Sequence, residues 1–201
     1  MSPPPDTPPP GASHPADDTE VRRPAPKPPR YGPEGDVQVF GADEQSAAPV
    51  DVDRWVTLAG DVLVAEGVRG DAELSLLFVD EAAIAELNKR FMEADGPTDV
   101  LAFPLDDPAV AGRWPDSGTP GPDRDGPEPG DMPLLLGDVV VCPAVAQRQA
   151  PSHAGSYEDE MALLVVHGVL HVLGHDHAEP DGTAAMQARE RELLDRFHRR
   201  R

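Results

Sequence analysis

Four of the chain's seven histidines fall within eleven residues, HGVLHVLGHDH, from His167 to His177. On an α-helix, residues four apart differ by about 40° around the axis and by one turn along it. His167 and His171 therefore project side by side, and both imidazoles can bind one metal ion. Gly174 suits the left-handed residue that ends a helix, where the chain can turn back and bring His177 to the same ion. Three neutral imidazoles leave the fourth tetrahedral position for water, the arrangement of a catalytic rather than a structural zinc site. Nickel, cobalt or iron suits the same ligands; zinc is preferred from ligand type and availability. A pair of solvated histidines on a helix face would require neither the third histidine nor the glycine at the break. In the polar turn, Asp176 either orients a ligand imidazole through a hydrogen bond or is simply solvated. His175 either contacts substrate, as a catalytic candidate, or is structural; the structural role is preferred for both.

The spacing H-x3-H-x2-G-x2-H is also that of metzincin peptidases. In those enzymes a glutamate follows the first histidine and takes the proton from the metal-activated water. Here that position is Gly168, which has no side chain to do so. No Met-turn follows either, since Met186 falls in an amphipathic stretch. A zinc peptidase is disfavoured on its central chemical requirement.

The elements that must position these histidines can be read from periodicity and turn residues. Val37–Phe40 is a short strand, followed by a helix over Asp51–Gly67 with Val52, Trp55, Val56, Ala59, Val62 and Leu63 at helical spacing. Glu73–Val79 is an apolar strand, and Asp80 is placed to cap a helix over Glu81–Phe91. TDVLAFP, after Pro97, is another strand. Leu134–Cys142 reads as a strand interrupted at Gly137-Asp138. Pro143 suits the first turn of a short helix reaching about Ala150. Ser156 to Asp159 resembles a capping box that opens the histidine helix. A last helix begins at Pro180, with Met186, Arg189, Leu193, Leu194 and Phe197 at three- and four-residue steps. This order predicts an α+β fold: a single domain with a small mixed central sheet packed by helices, and the metal site at a cleft on a helix of the C-terminal region.

Proline marks what lies outside that domain. Of 25 prolines, twelve lie in residues 1–35 and eight in 104–133. Residues 1–35 hold almost no large apolar side chains and are expected to be a disordered tail. Residues 106–131, with seven acids and two arginines, are expected to be a flexible acidic insertion. The domain then spans 36–198, with a basic end at 199–201.

The formal charge of −20 argues against a uniformly basic surface made to attract nucleic acid, and leaves room only for a local groove. Much of the acidity is assigned to the tail, the insertion and the face away from the histidines. Cys142 is the sole cysteine, so no intramolecular disulfide forms and a reducing compartment is expected. The N-terminus lacks the basic and apolar regions of a secretory signal. The longest apolar run, Met161–Gly174, holds two histidines in 14 residues and is too short to span a bilayer. A cytoplasmic protein without membrane association is the expectation.

Three segments together carry a resemblance. HGVLHVLGHDH resembles the H-G-x-L-H-L-x-G-Y-D-H signature of the YbeY family of bacterial endoribonucleases, or rRNA maturation factors. LNKRFMEADGPTDVLAFP resembles that family's second signature, L-N-x2-[YFW]-x3-D-x-P-T-[ND]-V-L-S-F-P, and LGDVVVC resembles a third, L-G-D-[IL]-V-I-C. They occur in the family's order, over about residues 36–198. The resemblance implies one zinc ion on His167, His171 and His177, and metal-dependent cleavage of single-stranded RNA. It further implies maturation of ribosomal RNA, notably the 3′ end of 16S, a role in ribosome quality control, and the small ribosomal subunit as partner. No DNA substrate is expected.

Two positions depart from the family. An arginine that often follows the aromatic residue of the second signature is Met92 here, with Lys89 and Arg90 nearby; Arg90 is a candidate for the missing charge. The tyrosine of the metal motif is His175. Met92 keeps a further reading open, a zinc-stabilised ribosome assembly factor with weak or lost catalytic power.

Overall fold

The segment Ala72–Phe78 alternates buried and half-buried side chains along its whole length, as a strand does when one face lies in the main core. It is the second of four strands: β1 (Val37–Asp43), β2 (Ala72–Phe78), β3 (Val100–Pro104) and β4 (Leu134–Val141). The computed structural model describes residues 37–69, 71–105, 133–175 and 180–199. The strands form one sheet in the order β1-β2-β4-β3. β1, β2 and β4 run parallel, and β3 runs antiparallel to β4. The sheet is therefore mixed, as expected, and lies within one compact unit, Tyr31–Arg201. The tail over 1–35, the insertion over 106–131, and Arg200 and Arg201 lie outside the described residues.

Five helices cover the sheet: α1 (Val52–Ala65), α2 (Glu81–Met92), α3 (Pro143–Gln149), α4 (Tyr157–Val172) and α5 (Pro180–Phe197). A 3-10 turn, Ala150–Ser152, extends α3. On one face, Leu74, Leu76, Phe78, Val139 and Val141 meet residues of α1, α4 and α5 in the main core. On the other face, Leu101 and Val140 pack with Ile84 of α2 and Val145 of α3 in a smaller one. Caps fall where the sequence places them. The Asp80 carboxylate accepts the Ala83 N–H at 2.8 Å. Ser156 Oγ accepts the Asp159 N–H at 3.1 Å and donates to the Asp159 carboxylate at 2.7 Å. That bond and one from His198 hold the Asp159 carboxyl below the usual range.

Two expectations are corrected. β1 continues three residues past Phe40, paired with β2 as far as Asp43 and Phe78. Gly137-Asp138 does not interrupt β4, which is continuous over Leu134–Val141. The glycine instead makes a bulge: Glu73 pairs with Leu135 but Leu74 pairs with Gly137. Gly137 has φ +147°, and a Cβ there would lie 2.3 Å from the Phe103 carbonyl oxygen of β3. Glycine serves both needs. The extra residue changes the strand's phase, so that Leu136 and Val139 both enter the main core despite an odd spacing.

α4 lies at the centre, touching α1, α3, α5, β3 and β4. It lies tight against the sheet at Gly168. A Cβ at that position would meet Val139 Cγ1 at 2.5 Å and Val100 Cγ2 at 3.3 Å. Val139 is wholly buried and β-branched, so it cannot swing aside. Glycine in a helix interior costs about 1 kcal/mol relative to alanine, which the close contact must outweigh. Gly168→Ala is expected to lower unfolding stability by about 1–2 kcal/mol, overpacking exceeding the propensity gain. Gly168→Glu should lower it by more than about 3 kcal/mol through added bulk and a buried charge. Urea denaturation midpoints check both; a neutral Gly168→Glu would show that the helix can lift from the sheet.

Candidate metal centre

α4 ends as its sequence demands. Gly174 has φ +86°; its N–H bonds the His171 carbonyl at 3.0 Å, and the His175 N–H bonds the Leu170 carbonyl at 3.0 Å. These two bonds are the Schellman motif. His167 and His171 stand on the last two turns, with Nε2 atoms 3.1 Å apart and ring centroids 4.5 Å apart. Two imidazole nitrogens on one tetrahedral zinc ion lie about 3.3 Å apart, given bonds of about 2.0 Å. The two nitrogens thus converge on one point at the spacing a shared ion needs.

Behind them stands a residue the sequence reading missed. Glu190 of α5 lies 2.7 Å from His167 Nδ1. A carboxylate accepts, so Nδ1 carries the proton and Nε2 keeps its lone pair on the side facing His171. Glu190 is only 8% exposed. One signal could have found it: Glu190 falls on the apolar stripe of α5, between Met186 and Leu193, where a solvated acid has no place. The donor set fits a divalent ion with nitrogen ligands. The third expected donor, His177, and its neighbour Asp176 lie outside the described residues.

The remaining candidates sit apart. His175 Nε2 lies 3.2 Å from Glu66 at the C-terminal end of α1, and Glu66 also accepts from Arg189 Nε at 2.6 Å. Carboxylates of Glu192 and Glu66 hold the Arg189 guanidinium above its ordinary pKa. His175 thus links the end of α4 to α1 and, through Glu66, to α5. Arg90 stacks over its neighbour Phe91 at 5.2 Å, and Lys89 lies 3.6 Å from Asp95. Met92 is about half exposed at the end of α2. None of these three borders the hollow that His167 faces. Cys142, ending the third signature, is buried, and burial pushes its thiol up, away from nucleophilic use.

That hollow is a cavity of about 250 Å³ lined by Asp99, His153, His167, Thr183, Gln187 and Glu190 among polar groups. Leu163, Leu164 and Met186 form its apolar wall. Asp99, from the second signature, accepts Gln149 Nε2 at 2.6 Å and the Val100 N–H at 2.8 Å. The tail and insertion hold twelve acids against six bases, only six of the twenty net negative charges, so most of the acidity lies elsewhere in the chain.

The peptidase reading fails here on geometry as well as residue type. The position after His167 is turned against β3 and β4, where Val139 already fills the space a side chain would take. An α+β domain with a helical histidine pair and a carboxylate bonded to the first ring offers two imidazole donors to an ion, beside a polar cavity that His167 and Glu190 line. The chain belongs to the endoribonuclease YbeY family, whose model matches residues 41–198. It is 49% identical over 150 residues to Endoribonuclease YbeY of Salinispora tropica, covering 75% of this chain and 90% of that one. It is 45% identical over 157 residues to that of Thermobifida fusca (77% and 91%), and 43% over 153 residues to that of Mycolicibacterium vanbaalenii (76% and 77%). Each match reaches most of both chains, so the likeness covers the domain and not one motif.

If the Glu190–His167 bond sets ligand orientation, Glu190→Gln should weaken zinc binding by about 10- to 100-fold. Competition against a chromogenic chelator measures this. Unchanged affinity would show that Glu190 does not support the ligand.

Proposed function

We infer that this protein is a metal-dependent endoribonuclease cleaving single-stranded RNA. It acts in the maturation of ribosomal RNA, at the 3′ end of 16S, and in ribosome quality control on the small subunit. Membership of the endoribonuclease YbeY family supports the reaction class. The observation that carries the reading in this chain is the convergence of the His167 and His171 Nε2 atoms, 3.1 Å apart, with Glu190 fixing the first ring. His167, His171 and His177 are the proposed ligands of one zinc ion. A cytoplasmic location accords with the single buried thiol, and no helix among the described residues is long and apolar enough to cross a membrane.

A zinc ion held there supplies Lewis-acid polarisation of a phosphate oxygen and a lowered water pKa. The chain's own residues do the rest. Glu190 holds the proton on His167 Nδ1, which keeps the Nε2 lone pair available. Leu163, Leu164 and Met186 keep one side of the cavity apolar, which limits water and strengthens electrostatic contacts within. Asp99 is held by Gln149 and by backbone, so this wall of the cavity keeps its shape.

The test is to incubate zinc-restored protein with a single-stranded ribosomal RNA fragment and with an unstructured peptide. The wild type is expected to cut only the RNA, and His171→Ala to lose at least about 100-fold of that activity, since metal catalysis supplies several kcal/mol. Peptide cleavage would return the peptidase reading. Zinc binding with both substrates intact would make the chain an assembly factor.

A further inference from the structure

Three helices meet at one carboxylate. Glu66 follows the last residue of α1, and its side chain is only 11% exposed. Its Oε1 accepts from Arg189 Nε of α5 at 2.6 Å, and its Oε2 lies 3.2 Å from His175 Nε2, just past the end of α4. A second bond runs beside the first, from Arg189 Nη2 to the Ala65 carbonyl at 3.2 Å. Glu192, on the same helix as Arg189, takes Nη1 at 2.6 Å. Arg189 therefore grips the end of α1 at two points, a side chain and the backbone before it.

Both of these partners adjoin the candidate metal centre. Arg189 directly precedes Glu190, whose carboxylate accepts from His167 Nδ1 at 2.7 Å. His175 stands four residues after His171, and its N–H closes the Schellman turn on the Leu170 carbonyl. The Glu190–His167 bond joins α5 to α4. The two oxygens of Glu66 join the same two segments a second time, through the end of α1. The bonds form a closed circuit, so a slide of α5 along α4 that lengthens one link strains the other.

Apolar packing alone does not set that spacing finely. Met186, Leu193 and Leu194 hold α5 in the main core, but the attraction of buried apolar surface is non-directional. Support of a metal ligand needs its geometry kept to about 0.5 Å. Charge-assisted hydrogen bonds are short and directional, and the Arg189–Glu66 bond at 2.6 Å is one of them. Its base is firm, since α1 buries Trp55, Leu58, Val62 and Leu63.

We propose that Glu66 is a positioning residue of the metal centre. By holding Arg189 and His175 together it keeps Glu190 within bonding reach of His167, and so raises the affinity of the histidine pair for zinc. Glu66 acts through the Glu190–His167 bond and not on the ion itself. The inference rests on the reading of His167 and His171 as zinc ligands.

The test is the zinc affinity of the full chain, measured by competition against a chromogenic chelator. Glu66→Ala is expected to weaken binding by about fivefold, less than the change expected at Glu190 itself. Arg189→Met, which keeps an aliphatic stem and loses the guanidinium, should give a similar loss. In a Glu190→Ala background, where no bond is left to position, Glu66→Ala should add less than about twofold. Ile84→Val, in the smaller core on the other face of the sheet, lowers the urea midpoint and should leave zinc affinity unchanged. Unchanged affinity in Glu66→Ala, an equal loss with and without Glu190, or the same loss in Ile84→Val overturns this proposal alone. A His171→Ala variant that binds zinc as tightly as the wild type overturns it together with the reading of the histidine pair.

Discussion

The tight contact of α4 with the sheet, at Gly168 over Val139, governs the rest of the arrangement. A helix that lets one backbone position sink onto a strand has its rotation fixed at that point. With 100° between successive residues, Glu160, His167 and His171 fall within about 40° of one another and roughly a quarter-turn from Gly168. The chemical face is thus directed sideways, to the seam between the sheet and α5. There Glu190 can reach one imidazole and the loop after α3 can bring in another. A helix held further out would be free to roll, and Glu160 and His167 would lose their partners on the loop after α3 and on α5.

Two acids of this seam are buried beside imidazoles, Glu190 at His167 and Glu160 at His153. Leaving a carboxylate buried without partners costs several kcal/mol, so each must be compensated where it stands. Among the described residues no buried side-chain polar atom lacks a partner. The compensation comes from donors on separate elements: an imidazole and an amide from α3 and its loop for Glu160, and a helix-borne imidazole for Glu190. Stability and orientation of the rings are therefore the same set of bonds. Loosening either acid would also release the imidazole it holds.

What could be read in the sequence was local. His167 and His171 pair by helical spacing, and Gly174 ends their helix through bonds spanning five residues or fewer. The strand and helix order, the Asp80 and Ser156 caps and the mixed sheet followed from the same short-range signals. What escaped was long-range. Glu190 meets His167 across 23 residues of chain, and Gln149 meets Asp99 across 50. Glu160 did carry a mark, lying seven and eleven residues before the two histidines on the same helix face, but its partner His153 stands alone in a polar turn. Gly168 was conspicuous for the side chain it lacks; the reason, a valine on β4, depends on a contact that periodicity cannot supply. Gly137 was misread because glycine beside aspartate marks a turn more often than a bulge.

That bulge has a further bearing on how the domain accommodates change. β3 and β4 are antiparallel neighbours, so the segment between them has only to close a loop, at about 0.6 kcal/mol for each doubling of its length. Past Gly137, β4 is held on both sides, by β2 and by β3, from Asp138 to Val141. Alterations arriving from the connecting segment meet a residue that has already absorbed one misfit in spacing. The junction is, in engineering terms, a port: a tether, an epitope or a lineage's own embellishment enters at the Pro104–Gly137 end of the strand pair, before the contact of Val139 with the histidine helix is reached.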